Sequence, residues 1–190
     1  MNRRRYLTVS TAALSGLAGC LGDPEYTISS VEAEDDSHPL GLDVTPVDRE
    51  ITIESPGQLN IALRNTGTQD VIIKNTGVWP LGVLGLALAG ESVSADILLL
   101  ADEYTEADTV EVRPSGASKD GTPLTGTLAA AESIERQYEL NGRRVSGAGT
   151  YTLQGYFDEV PLSYRTGEDA DWVAYHPSVT VTLTEQSVLP

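Results

Sequence analysis

The chain has 190 residues, of which 12 are basic and 28 acidic, for a formal net charge of −16, and it contains one cysteine. This balance argues against a nucleic-acid partner, since phosphate backbones are bound by clustered Lys and Arg, and a lone cysteine excludes an intrachain disulfide. The length suits one domain with a proper core, because two domains would each be small.

The chain opens with Arg3-Arg4-Arg5-Tyr6-Leu7-Thr8, continues through an apolar run over residues 9–18 and reaches Leu17-Ala18-Gly19-Cys20. A cationic start, a short apolar run and small residues ahead of a cut describe an export signal. The run is too short to cross about 30 Å of hydrocarbon, which needs roughly 20 apolar residues. The paired arginines before an aromatic and a leucine resemble the twin-arginine signal, with Arg3 and Arg4 as its recognition residues. Leu17-Ala18-Gly19-Cys20 resembles the lipobox of exported lipoproteins. That resemblance implies that the Cys20 thiol takes a lipid and that Cys20 becomes the new N-terminus. The expected organisation is a cleaved signal over 1–19, a lipidated tether over 20–25 and a single domain over 26–190. Without Arg3, Arg4 and Arg5, nine of the 12 basic residues remain against 28 acids, a net charge of −19.

Beyond the tether, strand signals dominate. Residues 26–31 and 51–53 read as short strands, and Leu59, Ile61 and Leu63 alternate with polar neighbours at period two. Asn65-Thr66-Gly67 and Asn75-Thr76-Gly77 supply the local hydrogen bonds and positive φ of turns. Residues 79–89, Trp-Pro followed by Leu, Gly, Val and Ala, form the most apolar stretch outside the signal and read as a buried strand or hairpin. Their alternative is a membrane-dipping loop or a partner-binding edge.

Asp102, Glu103, Glu106 and Asp108 form one acidic cluster, but they lack the spacing of a calcium loop and read as a hydrated surface. Val110 and Val112 alternate with Thr109, Glu111 and Arg113, and Ile134, Tyr138 and Leu140 follow the same rule. Arg143-Arg144, after Asn141-Gly142, is the one adjacent basic pair beyond the signal and sits in a turn, where it reads as local charge balance or as a contact for an anionic headgroup or acidic partner. Gly149-Thr150-Tyr151 has the form of a tyrosine corner, in which a strand tyrosine returns its hydroxyl to the backbone just upstream. Residues 158–171, acidic and containing Pro161, Tyr164 and Arg165, read as a long loop. With Trp172 beside it, this loop makes Tyr164, Arg165 and Trp172 the first candidates for ligand recognition. Val179, Val181 and Leu183 close the series.

Many short strands at about ten-residue spacing, without helices between them, predict an all-β antiparallel sandwich or barrel, of which the sandwich is the expected fold. The alternating strand ending in Asn65-Thr66-Gly67, the turn at Ala131-Glu132-Ser133 and the Gly149-Thr150-Tyr151 strand resemble immunoglobulin-like modules, although Ala131 stands where glycine or proline is usual. Cys20-Leu21-Gly22-Asp23, the two Asn-Thr-Gly turns, Trp79-Pro80 and the Gly-Thr-Tyr strand, on an acidic body with two lysines and ten arginines, resemble a family of uncharacterised haloarchaeal lipoproteins. The resemblance implies a fold and a lipid-anchored place on the outer face of a cell membrane, and no activity.

Gly-x-Ser-x-Gly, phosphate-loop and His-Glu-x-x-His motifs are absent, and both His38 and His176 precede proline and read as loop residues. The expected function is a non-catalytic binding or envelope-interaction module with no catalytic residues, metal or cofactor, held to the membrane by lipid on Cys20 and meeting an envelope protein. The alternatives are an accessory binding subunit of an envelope enzyme or transporter, and a small hydrolase using carboxylates or a metal.

Overall fold

The computed structural model describes residues 24–34, 38–90 and 95–186. Cys20, Arg3 and Arg4 lie outside these residues, as does the final stretch 187–190. The described chain is an antiparallel β-sandwich. Its strands are β1 (Tyr26–Ala33), β2 (Leu40–Asp48), β3 (Glu50–Ile51), β4 (Gly57–Asn65), β5 (Val71–Thr76), β6 (Leu84–Leu88), β7 (Ile97–Leu98), β8 (Val110–Arg113), β9 (Gly116–Lys119), β10 (Pro123–Leu128), β11 (Ser133–Leu140), β12 (Gly149–Gly155), β13 (Leu162–Arg165), β14 (Val173–Tyr175) and β15 (Val179–Glu185). The single α-helical turn among the described residues, α1, spans Glu103–Glu106.

One layer is a six-stranded sheet in the order β3-β1-β15-β12-β6-β7. The other is built from two strands that bend. β4 pairs with β11 and β5 with β10, so the chain breaks between β4 and β5 directly across from the break between β10 and β11. β2 completes a three-stranded portion in the order β11-β4-β2, and β13 and β14 complete a four-stranded portion in the order β10-β5-β13-β14. β8 and β9 form a separate hairpin.

The bend is held by Asn65, which is 2% exposed. Its Nδ2 donates to the carbonyls of Gln69 (2.8 Å), Leu128 (3.0 Å) and Ala129 (3.0 Å), and its Oδ1 accepts from the Gly67 N–H (3.0 Å). One side chain thus satisfies the carbonyls left without ladder partners where both strands break, as a buried corner requires. Opposite it, Ala131 is the one described non-glycine residue with positive φ, at 62°. The position where glycine or proline is usual thus adopts the left-handed backbone that favours glycine.

Alternation gives the core. Leu59, Ile61 and Leu63 of β4, Val71 and Ile73 of β5, Ile28 of β1, Tyr151 and Leu153 of β12, and Val179, Val181 and Leu183 of β15 are buried in one cluster. Each such side chain contributes roughly 1.5–3 kcal/mol on burial. The apolar stretch 79–89 supplies Leu84 and Leu86 to the interior of the six-stranded sheet through β6, in agreement with its reading as a buried strand. Tyr151 Oη donates to the Gly147 carbonyl at 2.7 Å, the tyrosine corner expected from Gly149-Thr150-Tyr151. The strand expected over residues 51–53 is shorter, ending at Ile51, because Thr52 begins a turn in which its Oγ1 accepts from Ser55 N–H at 2.8 Å.

Candidate functional site

The expected ligand loop is partly a strand. Residues 162–165 form β13, which pairs with β5 on one side and β14 on the other. The sequence signal was hidden by the acids around it: Leu162 and Tyr164 point inward, Ser163 and Arg165 outward, with Asp158, Glu159, Glu168, Asp169 and Asp171 flanking a strand of only four residues. Tyr164 is therefore a core residue, 6% exposed. Its Oη is hydrogen-bonded to His38 Nδ1 at 2.6 Å, and the His38 ring stands edge-on to Tyr164 and Tyr175 at 5.6 and 5.7 Å. His38, expected as an isolated loop residue, instead closes an aromatic cluster between the entry to β2 and the β13–β14 pair.

Arg165 and Trp172 lie on the other side of the same sheet. Residues directly opposite in antiparallel strands share a face, so the register defines rows. Thr125, Lys74, Ser163 and Ala174 form one row across β10, β5, β13 and β14. Thr127, Ile72 and Arg165 form the next, and Trp172, just before β14, continues it. Lys74 Nζ lies 4.2 Å from the centroid of the Trp172 ring and the Arg165 guanidinium 4.8 Å from it. One indole thus collects two cations, each contact worth about 0.5–1 kcal/mol at a partly exposed site. Arg165 is further fixed by donating from Nη1 to the Glu168 carbonyl.

The second lysine joins from the neighbouring hairpin. Lys119 Nζ donates to Thr76 Oγ1 at 2.6 Å and to Asp158 Oδ2 at 2.9 Å, and it lies 5.1 Å from the Phe157 centroid. Thr76 is two residues from Lys74 on the same face of β5. Between them runs an open groove of about 250 Å³ lined by Lys74, Thr76, Pro123, Asp158, Pro161 and Ser163. Both lysines of the chain, Arg165 and one of its two tryptophans therefore share one outer sheet face, with Thr125, Thr127 and Ser163 hydroxyls among them. Chemically this face offers donors to an anion and hydroxyls to a polar ligand.

The outer face of the three-stranded portion differs. Gln137 Nε2 donates to Gln58 Oε1 at 2.7 Å, Asn60 Nδ2 donates to Glu135 Oε1, and Arg64 pairs with Asp43 at 3.1 Å. A larger open depression, about 390 Å³, adjoins this face between Gln58, Gln137, Glu139, Leu100, Asp102 and Thr105. Its two glutamine amides are already joined to each other.

Of the first acidic cluster, Glu103 pairs with Arg136 at 2.8 Å. Among the described residues no three His, Cys, Asp or Glu side chains gather as a metal-holding group. The strongly shifted groups are core phenols. Burial pushes Tyr138 and Tyr104, whose rings stand 6.4 Å apart, above the ordinary tyrosine range, although the Leu84 N–H donated to Tyr104 Oη at 3.0 Å partly opposes this for Tyr104. Neither lines the Trp172 face. Arg143 and Arg144 lie in a 3-10 turn, Gly142–Arg144, capped by Asn141 Oδ1 accepting from the Arg143 N–H at 3.0 Å. Among the described residues no helix is long and apolar enough to cross a membrane.

The sequence model of one family, described as a domain of unknown function (DUF8130), matches residues 1–189. No curated protein and no solved structure matches the chain.

Proposed function

We propose that this chain, which belongs to the DUF8130 family, is a non-catalytic binding module, exported by the twin-arginine route, anchored by lipid on Cys20 to the outer face of a cell membrane, and binding an anionic envelope partner through the Trp172 face. The observation that carries the binding assignment is the gathering of Lys74, Lys119 and Arg165 around one sheet face in a chain of net charge −16. Surface lysines in a strongly acidic protein are expected to scatter among the acids. Here Lys74 and Arg165 converge on one indole, so an incoming carboxylate, sulfate or phosphate meets two cations at one place. The anchor assignment rests on Arg3-Arg4 and on Leu17-Ala18-Gly19-Cys20, and the tether 20–25 leads directly into β1.

Tryptophan emission tests the face. Titration of the purified protein with polygalacturonate, dextran sulfate or polyphosphate is expected to give a saturable change with at least one of them, weakened at least tenfold in the Lys74→Gln/Arg165→Gln double variant. Neutral dextran is expected to give none. A response equal for neutral and anionic polymers, or absent for all, removes the assignment. The anchor is tested in cells: Cys20→Ser is expected to release the protein or leave its precursor uncleaved, and an unchanged mature membrane form would refute it.

A further inference from the structure

Tyr26, the first residue of β1, is 4% exposed and is paired on both sides, with Glu185 of β15 and Ile51 of β3. Only five residues lie between it and Cys20, six steps along the chain. At no more than about 3.6 Å per residue, this chain spans roughly 20 Å even when fully extended. A lipid on Cys20 therefore holds the Tyr26 end of the sandwich close to the bilayer.

Other segments meet at that end. Thr52 follows Ile51, and the Gly142 backbone lies directly against it, since a Cβ at Gly142 would stand 2.6 Å from the Thr52 carbonyl oxygen. Gly142 opens the 3-10 turn that carries Arg143 and Arg144. Arg143 is exposed, and Arg144 Nη2 donates to the Arg113 carbonyl at 2.9 Å, tying the turn to the β8–β9 hairpin. Carboxylates lie here too, among them Glu50, Glu54 and Glu185. Glu111 is already bound to Arg113 at 2.6 Å. The end is thus not a broad positive field but carries the one adjacent basic pair beyond residue 5. An anionic surface repels the acidic body as a whole, so an orientation that places this pair on headgroup phosphates is favoured over those that present acids.

We propose that the Tyr26 end faces the membrane and that Arg143 and Arg144 contact anionic lipid headgroups there, setting the orientation of the domain and keeping the Trp172 face clear of the bilayer. This rests on the lipid-anchor reading. It is tested with the anchor imposed chemically, so its failure is distinct from failure of lipidation in cells. The chain beginning at Cys20, the mature form this reading implies, is coupled through its single thiol to a maleimide lipid in vesicles of phosphatidylcholine with 30% phosphatidylglycerol, and backbone hydrogen exchange is followed by mass spectrometry. The expected result is at least threefold slower exchange over residues 141–148 and 52–56 than on pure phosphatidylcholine, with the opposite end around Ala33 and Ser178 unchanged. The slowing should disappear in Arg143→Gln/Arg144→Gln. Arg143→Gln alone, at an exposed side chain, should reduce it without altering the melting temperature. Slowing at the opposite end, equal exchange on both vesicles, or slowing that survives the double variant overturns the proposal.

Discussion

The two outer faces on either side of the Asn65 bend are made from the same paired strands, yet they dispose of their polar groups in opposite ways. On the three-stranded portion, Gln58 meets Gln137, Asn60 meets Glu135 and Arg64 meets Asp43, so donors and acceptors match across the ladder. On the four-stranded portion, Lys74 and Arg165 converge on the Trp172 ring, while hydroxyls rather than carboxylates occupy the facing positions Thr125 and Ser163. The first face is complete in itself, and binding there would have to break hydrogen bonds already made. The second sets two cations on one indole beside hydroxyls.

The largest effect expected from breaking this comparison comes from the bend that separates the faces. Asn65→Ala leaves the carbonyls of Gln69, Leu128 and Ala129 and the Gly67 N–H without their partner, and should lower stability by about 2–4 kcal/mol in denaturant unfolding.

The cores beneath the two faces also differ, with Tyr138 against Tyr104 under one and Tyr164 against His38 and Tyr175 under the other. Tyr138 and Tyr104 are raised above their ordinary value near 10, so the unfolded chain releases their protons at a lower pH than the folded one. The contribution of these two tyrosines should be constant up to about pH 10 and then fall, by up to about 1.4 kcal/mol per pH unit for each. Tyr138→Phe should make the fall shallower in alkaline denaturation followed by circular dichroism, and an unchanged slope would place the loss elsewhere.

A smaller effect of opposite sign is expected across the bend. Ala131→Gly removes the cost of a left-handed alanine and should stabilise by about 0.5–1 kcal/mol, measured as a raised melting temperature. The smallest changes concern the faces themselves. Gln58→Ala should change stability by no more than about 1 kcal/mol, because the site is at the surface. Only Trp172→Ala should abolish anion binding, measured by calorimetry because the substitution also removes the reporting indole. Equal loss of binding in Gln58→Ala would erase the distinction between the faces.

The strands that could be read from the sequence are those whose alternation is uninterrupted. Leu59, Ile61 and Leu63 mark β4, and Val179, Val181 and Leu183 mark β15, because one buried face dictates period two. The tyrosine corner was also legible, since it depends on local geometry. β2 and β13 were not. β2 lies at the edge of its portion, buries Leu40 and Leu42 and then exposes Val47 at a register shift near Pro46, so its pattern decays halfway along. β13 is too short for alternation to rise above its acidic flanks. Of the candidate site, Arg165 and Trp172 could be picked out as unusual residues, but Lys74 is about 90 positions from Arg165 in sequence, and only the register of β5 against β13 brings it to the same indole. Tyr164, named with them, has an inward place because neighbours on a strand face opposite ways.

The pairing of β1 with β15 sets a condition on how this molecule is made. Residues 26–33 find most of their ladder partners at 179–185, so the six-stranded sheet is missing β15, the third in its order, until nearly the whole described chain has been synthesised. Until then β1 has only the two-residue β3 beside it, and the β12 edge that β15 will cover is open. Pairings so distant in sequence fold slowly, because the loop must close before any contact rewards it. Until residues 179–185 emerge, the sheet stands unfinished, a window in which a chaperone that shields open strand edges would raise the yield of folded protein more than any further stabilisation of the finished sandwich.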